Sequence, residues 1–209
     1  MKSKTAKSGF YLDLIRTVFQ AVDDQGKLRN RVVAFTSATP REGVTHVVDI
    51  LAEELAAQTQ NRVLRVDAAA LQYLQMVDPS QVTRHCEETE LDNLLTLSAA
   101  QTAPNVAVVG GSRRASEWES APEFRAECLK ALRWNFDYVL IDCPSIVSSE
   151  ATTLAPLVDG VSVVVKAART RRGQIQHCQQ VIENAGGNFL GFILNQRQNP
   201  VPNWLYRRL

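Results

Sequence analysis

The chain has 209 residues, 45% of them hydrophobic and 22% charged, the make-up of one ordinary soluble domain with short tails rather than of a disordered or fibrous chain. Its formal net charge of +1 gives no general attraction to nucleic acid or anionic lipid. The four cysteines (Cys86, Cys128, Cys143, Cys178) form no C-x-x-C pair and only three histidines accompany them, so metal-site spacing is absent and free thiols in a reducing compartment are expected.

In chain order, "MKSKTAKSGFYLDLIRTVF" begins basic, but Asp13 and Arg16 interrupt its apolar part. It lacks a signal-peptide core, and no run of ~18 apolar residues occurs anywhere. A cytoplasmic protein is expected, held at the inner membrane only through a partner. Helical spacing over 10–23 places Leu12, Ile15 and Phe19 on one stripe that would pack on the domain.

Strands are expected at 31–36 (RVVAFT), 62–67 (RVLRVD), 106–110 (VAVVG), 137–142 (DYVLID), 161–167 (VSVVVKA) and 189–195 (FLGFILN). Most are continuous in Val, Ile and Leu, as buried parallel strands are. Helical patterns lie between them at 44–60, 121–135, 151–158 and 172–185. Such alternation predicts a three-layer, doubly wound α/β fold with a mostly parallel sheet of about seven strands. The stretch 71–105 is irregular, with "LDNLLTLSAA" read as a short helix. Residues 1–30 form an N-terminal helical segment, 31–195 the α/β domain and 196–209 a tail.

The segment "TSATPREGVTH" (36–46) follows the first strand and opens a helix. A phosphate loop works because helix N-terminal N–H groups face the anion and glycine permits close approach. A lysine then supplies charge and the next Ser/Thr holds Mg²⁺. Gly43 is present and Thr45 fills the metal-ligand slot, but Val44 stands at the lysine position. Taken alone, the segment reads first as a βα turn containing proline and glycine. Two more strands end in carboxylates: "NFDYVLIDCPS" at Asp142, shaped like a Walker B strand, and "NRVLRVDAAA" at Asp67. Both would converge on the crevice where α/β sheets bind ligands.

In this order and spacing, the motifs resemble the bacterial tyrosine kinase family of exopolysaccharide synthesis (CpsD/CapB type), relatives of the MinD/ParA ATPases. The family loop reads roughly T-S-x-x-P-G-E-G-K-S-T, its second carboxylate motif V-L-L-V-D-A-D, and its Walker B strand D-Y-V-I-I-D-T-P-P. "LVDGVSVVVKAARTRR" is similar to the family's A-D-G-V-L-L-V-V-R-A-x-x-T-R. "VIENAGGNFLGFILNQ" is similar to its closing strand, where Asn195 would contact adenine. "SAPEFRAECLKAL" is similar to the helix before the Walker B strand. The resemblance implies a P-loop NTPase fold, with ATP or ADP at Gly43, Thr45 and Asn195, and Mg²⁺ at Thr45, Asp67 and Asp142.

The departures fall on the chemistry. Val44 deletes the charge at the β/γ-phosphates, and Arg41 replaces a glycine. His46 replaces a phosphate-contacting Ser/Thr, and Ala69 replaces the second carboxylate of the D-x-D pair. A lost charged hydrogen bond costs about 1.5–3 kcal/mol, roughly 10- to 150-fold in affinity, and one basic residue at a phosphoryl transition state is worth ~10³–10⁵ in rate. No active catalytic residue is therefore expected, Asp67 and Asp142 being remnants. Nucleotide with Mg²⁺ would bind weakly, if it binds.

The tail holds one tyrosine, Tyr206, where active members carry a cluster. Of the ring-forming E-x-x-R-x-x-R helix, "FYLDLIRTVF" matches with Phe10, Asp13 and Arg16, keeping only the last arginine. The preferred reading is a catalytically degenerate kinase, a pseudokinase that regulates or scaffolds exopolysaccharide synthesis and export. Its expected partner is a membrane-embedded polysaccharide co-polymerase, with a homodimer as a further association and no nucleic acid. The rivals are an active tyrosine autokinase or ATPase of the same family, and a MinD/ParA-like positioning ATPase. "KAARTRRG" (166–173) reads as a solvated turn near the cleft before it reads as a DNA patch. "WLYRRL" reads as packing before it reads as a partner or membrane contact. Cys143, beside Asp142, reads as a buried thiol.

Overall fold

The computed structural model describes residues 4–19, 31–59, 61–69, 71, 95–96, 106–111 and 122–196. In chain order these form α1 (Lys4–Val18), β1 (Val32–Ser37), α2 (Val44–Thr59), β2 (Val63–Asp67), β3 (Leu95–Thr96) and β4 (Val106–Gly111). They continue with α3 (Pro122–Asn135), β5 (Tyr138–Ser145), α4 (Glu150–Leu154), β6 (Gly160–Lys166), α5 (Arg172–Asn184) and β7 (Phe189–Asn195).

The seven strands lie in the order β3-β4-β2-β5-β1-β6-β7. All pairings are parallel except that of β3 with β4. This is the doubly wound α/β architecture expected from the sequence. β1 sits between β5 and β6, so the chain leaves it toward β2 on one side and later reaches β6 on the other. The loop after β1 therefore opens at a topological switch point, the usual ligand crevice of such sheets.

Every residue of β1 is buried, because both sheet faces are covered. Val33 and Phe35 pack with Val47, Leu51 and Leu55 of α2 and with Ile15 and Phe19. Val32 and Ala34 face the opposite core, which α3, α4 and α5 close with Leu129, Leu132, Leu154 and Ile182. Residues on alternate sides of one strand thus build two separate cores. Along α1, Tyr11, Ile15 and Val18, followed by Phe19, are buried, while Leu12 is half-buried. The Phe19 ring meets Tyr138 edge-on, with centroids 5.6 Å apart, and burying it contributes roughly 2–3 kcal/mol. Asp13 and Arg16 stay on the surface.

The opposite end of the sheet is tied by Asp159. Its Oδ2 accepts the N–H groups of Arg31 and Val32, each at 2.8 Å, and Nη1 of Arg133 at 2.9 Å. Burial raises its pKa, but the Arg133 and backbone hydrogen bonds outweigh that and leave it lowered. Gly160 follows because a Cβ there would collide with Leu190.

Three sequence expectations need correction. Within "LDNLLTLSAA", Leu95–Thr96 is an edge strand antiparallel to Gly110 and Gly111, not helix. The free edge of β4 offers unpaired N–H and C=O groups that outweigh the weak helical pattern of a ten-residue stretch. The first helix begins at Lys4 and ends at Val18, earlier than the apolar stripe suggests. The helix expected at 151–158 covers only Glu150–Leu154: Ala155 keeps helical dihedrals, but Pro156 has no N–H to continue the ladder. Among the described residues, no helix is long and apolar enough to cross a membrane. The tail reading, with Tyr206 and "WLYRRL", lies outside the described residues, as does Cys86.

Candidate functional site

The β1–α2 loop joins the end of β1 to the N-terminus of α2, the place where a phosphate loop was expected. Two residues take left-handed conformations, Arg41 at φ 67° and Gly43 at φ 90°. Glycine adopts this region freely, whereas a side chain there costs on the order of 1 kcal/mol or more. Arg41 thus holds a glycine-like conformation without being glycine. Its side chain is exposed.

Glu42 braces the loop from inside and is 2% exposed. Its Oε2 accepts the N–H of Thr39 at 3.0 Å. Its Oε1 accepts the Thr170 hydroxyl in a very short hydrogen bond, and the Lys166 N–H at 3.4 Å. Its carbonyl oxygen accepts Nδ2 of Asn195 at 2.9 Å. The loop is therefore fastened to the β6–α5 turn and to the end of β7. Asn195, expected to contact adenine, is engaged in holding the loop, and its side chain lies where a Cβ on Gly43 would project. The "KAARTRRG" turn is the loop's anchor, with Arg169, Arg171 and Arg172 exposed around it.

At the lysine position, Val44 is a core residue, 8% exposed and packed in the α1/α2 layer. Thr45 and His46 face solvent at the start of α2.

Asp67 ends β2, and its register partner Asp142 lies inside the adjacent β5, which runs on to Ser145. Asp67 Oδ1 accepts the Ala69 N–H at 3.0 Å, so the residue at the second-carboxylate position supplies a backbone donor and no charge. Asp142 is buried. Its Oδ2 lies 2.6 Å from Nη2 of Arg65, and the two side chains are only 8% and 9% exposed. Arg65 Nε also stands 3.1 Å from Oδ1 of Asp49 on α2. That oxygen lies off the N–H direction, so the contact is ionic and the Nε donor itself is unsatisfied. Burial pushes the Asp142 carboxyl up to about 6, against the lowering pull of Arg65 and Thr45; Asp67 and Asp49 raise it further.

The three described thiols are chemically quiet. Cys143 is buried and its pKa is pushed well up by desolvation, then by Asp142. Burial likewise lifts Cys128 and Cys178 to about 11.

The structure therefore gathers Gly43, Thr45, Asp67, Asp142 and Asn195 at one end of the sheet and leaves Arg41 and His46 exposed beside them. Sequence reasoning missed Arg65 and Glu42. The signal for Arg65 was present as a lone charge inside the apolar run "RVLRVD", because a buried charge needs a partner.

No protein-family model matches the chain. "Tyrosine-protein kinase CpsD" of Streptococcus agalactiae is 25% identical over 215 aligned residues, covering 95% of this chain and 87% of its own. "Putative tyrosine-protein kinase CapB" of Staphylococcus aureus is 28% identical over 111 residues, 53% of this chain and 44% of its own. Among solved structures, the chimerical protein CapA2B2 superposes with TM-score 0.65 at 18% identity, covering 91% of this chain and 84% of that one. The VpsO kinase domain gives 0.60 at 24% identity, covering 93% and 92%. MinD of Pyrococcus horikoshii, solved with Mg-ADP, gives 0.54 at 21% identity, covering 85% and 76%. The sequence relatives of this chain are thus bacterial tyrosine kinases of the CpsD/CapB kind, and its fold is the one those kinase domains share with the MinD/ParA ATPases.

Proposed function

We propose that this protein is a tyrosine-kinase-like component of exopolysaccharide synthesis that has lost phosphoryl transfer and acts as a regulator or scaffold. The observation that carries this reading is Val44: the position that should project a cation at the phosphates packs into the α1/α2 core instead. Phosphoryl transfer depends almost wholly on positioning and charge stabilisation. A site with valine for lysine and Ala69 for a carboxylate lacks two of the groups that supply it. The CpsD and CapB relatives motivate the pathway and a membrane-embedded co-polymerase as partner. A homodimer is the second association to test.

The rival reading, an active kinase or ATPase with its cation supplied elsewhere, draws on the exposed Arg41 of the loop. Calorimetry with Mg-ATP, together with incubation in radiolabelled ATP, separates the two. The proposal expects binding no tighter than about millimolar and no label on tyrosine. Micromolar binding with phosphate on Tyr206 overturns it.

A further inference from the structure

The fold's relatives imply a magnesium ion between the phosphate loop and the Walker B carboxylate, and the residues here do not fit one. Mg²⁺ demands near-octahedral oxygen ligands and binds through carboxylates, waters and substrate phosphates. At this site the Asp142 Oδ2 is already 2.6 Å from the Arg65 guanidinium. Ala69 offers no carboxylate, and Asp67 spends Oδ1 on the Ala69 N–H.

The Arg65 side chain leaves β2, is enclosed by Asp142 and by Asp49 of α2, and is nine-tenths buried. A divalent ion at Asp142 would sit beside a fixed positive charge, and displacing the guanidinium would strand it in the core. In the family pattern V-L-L-V-D, the position of Arg65 is a leucine.

We propose that Arg65 is the resident cation of this site: it takes the place of the divalent metal at Asp142 and excludes it. The inference rests on reading residues 36–46 as a phosphate loop and makes the site metal-independent. Any phosphate ligand would meet the loop as a free anion, not as a magnesium complex.

The test is paramagnetic broadening of the full chain's amide signals by Mn²⁺ in the presence of ADP. In the wild type, broadening localised at Thr45, Asp67 and Asp142 is expected to be absent into the millimolar range. Arg65→Leu is expected to gain at least about tenfold in Mn²⁺ affinity there, and Arg65→Leu with Asp142→Asn to lose that gain. Localised broadening in the wild type that Asp142→Asn abolishes overturns the proposal. So does a folded Arg65→Leu protein that gains nothing. Should that variant not fold, Arg65→Gln is read the same way, and the comparison of wild type with Asp142→Asn needs no change at Arg65. Tyrosine label without Mn²⁺ at Asp142 would sink the pseudokinase reading and leave this inference standing. Mn²⁺ at Asp142 without label would do the reverse.

Discussion

Arg65 and Asp142, 77 residues apart in sequence, meet across adjacent strands as a buried ion pair with Nη2 2.6 Å from Oδ2. Removing one partner of such a pair leaves an uncompensated charge and costs about 3–5 kcal/mol, whereas replacing both by apolar groups can be nearly neutral. Arg65→Met is therefore expected to lower stability by about 3 kcal/mol near pH 8. Arg65→Met with Asp142→Leu should lose clearly less than the two single losses added together. Urea unfolding of the four proteins measures this, and strict additivity would show that the pair is not coupled.

The same carboxylate gives a pH signature. Its folded pKa of about 6 is above its ordinary 3.8, so the folded state holds the proton more tightly than the unfolded chain. Protonated Asp142 thus contributes stability that is complete below about pH 3.8 and is lost as pH rises through about 6, roughly 3 kcal/mol across the window. Asp159, whose pKa is lowered, acts in the opposite sense but below that window. Comparing wild type with Asp142→Asn in urea at pH 7.5 and pH 4.5 isolates the effect. The wild type should gain on the variant at the lower pH; a gap that does not move with pH would contradict it.

Gly43→Ala meets two obstacles at once, a φ of 90° and the Nδ2 of Asn195. A loss of about 2 kcal/mol or more is expected. Adding Asn195→Ala should relieve the collision but not the backbone strain, so the double variant recovers only part of the loss. Thermal unfolding reads both, and an unaltered Gly43→Ala midpoint would show that the loop relaxes freely.

The sheet was legible in the sequence because its strands are buried on both faces, and runs such as Val32–Phe35 and Val161–Val165 announce that without any long-range knowledge. The loop at 37–43 was legible because a glycine between strand and helix is a local signal. β3 was not, since two residues carry no period of their own and pair only because β4 has a free edge. Glu42 was hidden for a different reason. Its partners Lys166 and Thr170 lie 124 and 128 residues away, and nothing in "PREGV" marks that glutamate as buried. Arg65 was overlooked although visible: a single arginine between Leu64 and Val66 in a buried strand is itself a prediction of a buried acid, and Asp142 stands in the apolar run "DYVLID" as a candidate.

The central claim is that Asp142 serves the internal ion pair and not phosphoryl transfer. The most direct measurement is the rate of phosphate release from Mg-ATP by wild type and by Asp142→Asn at matched concentration. Both proteins should be indistinguishable from the buffer background. A wild-type rate above background that Asp142→Asn abolishes would contradict the account and identify a working enzyme.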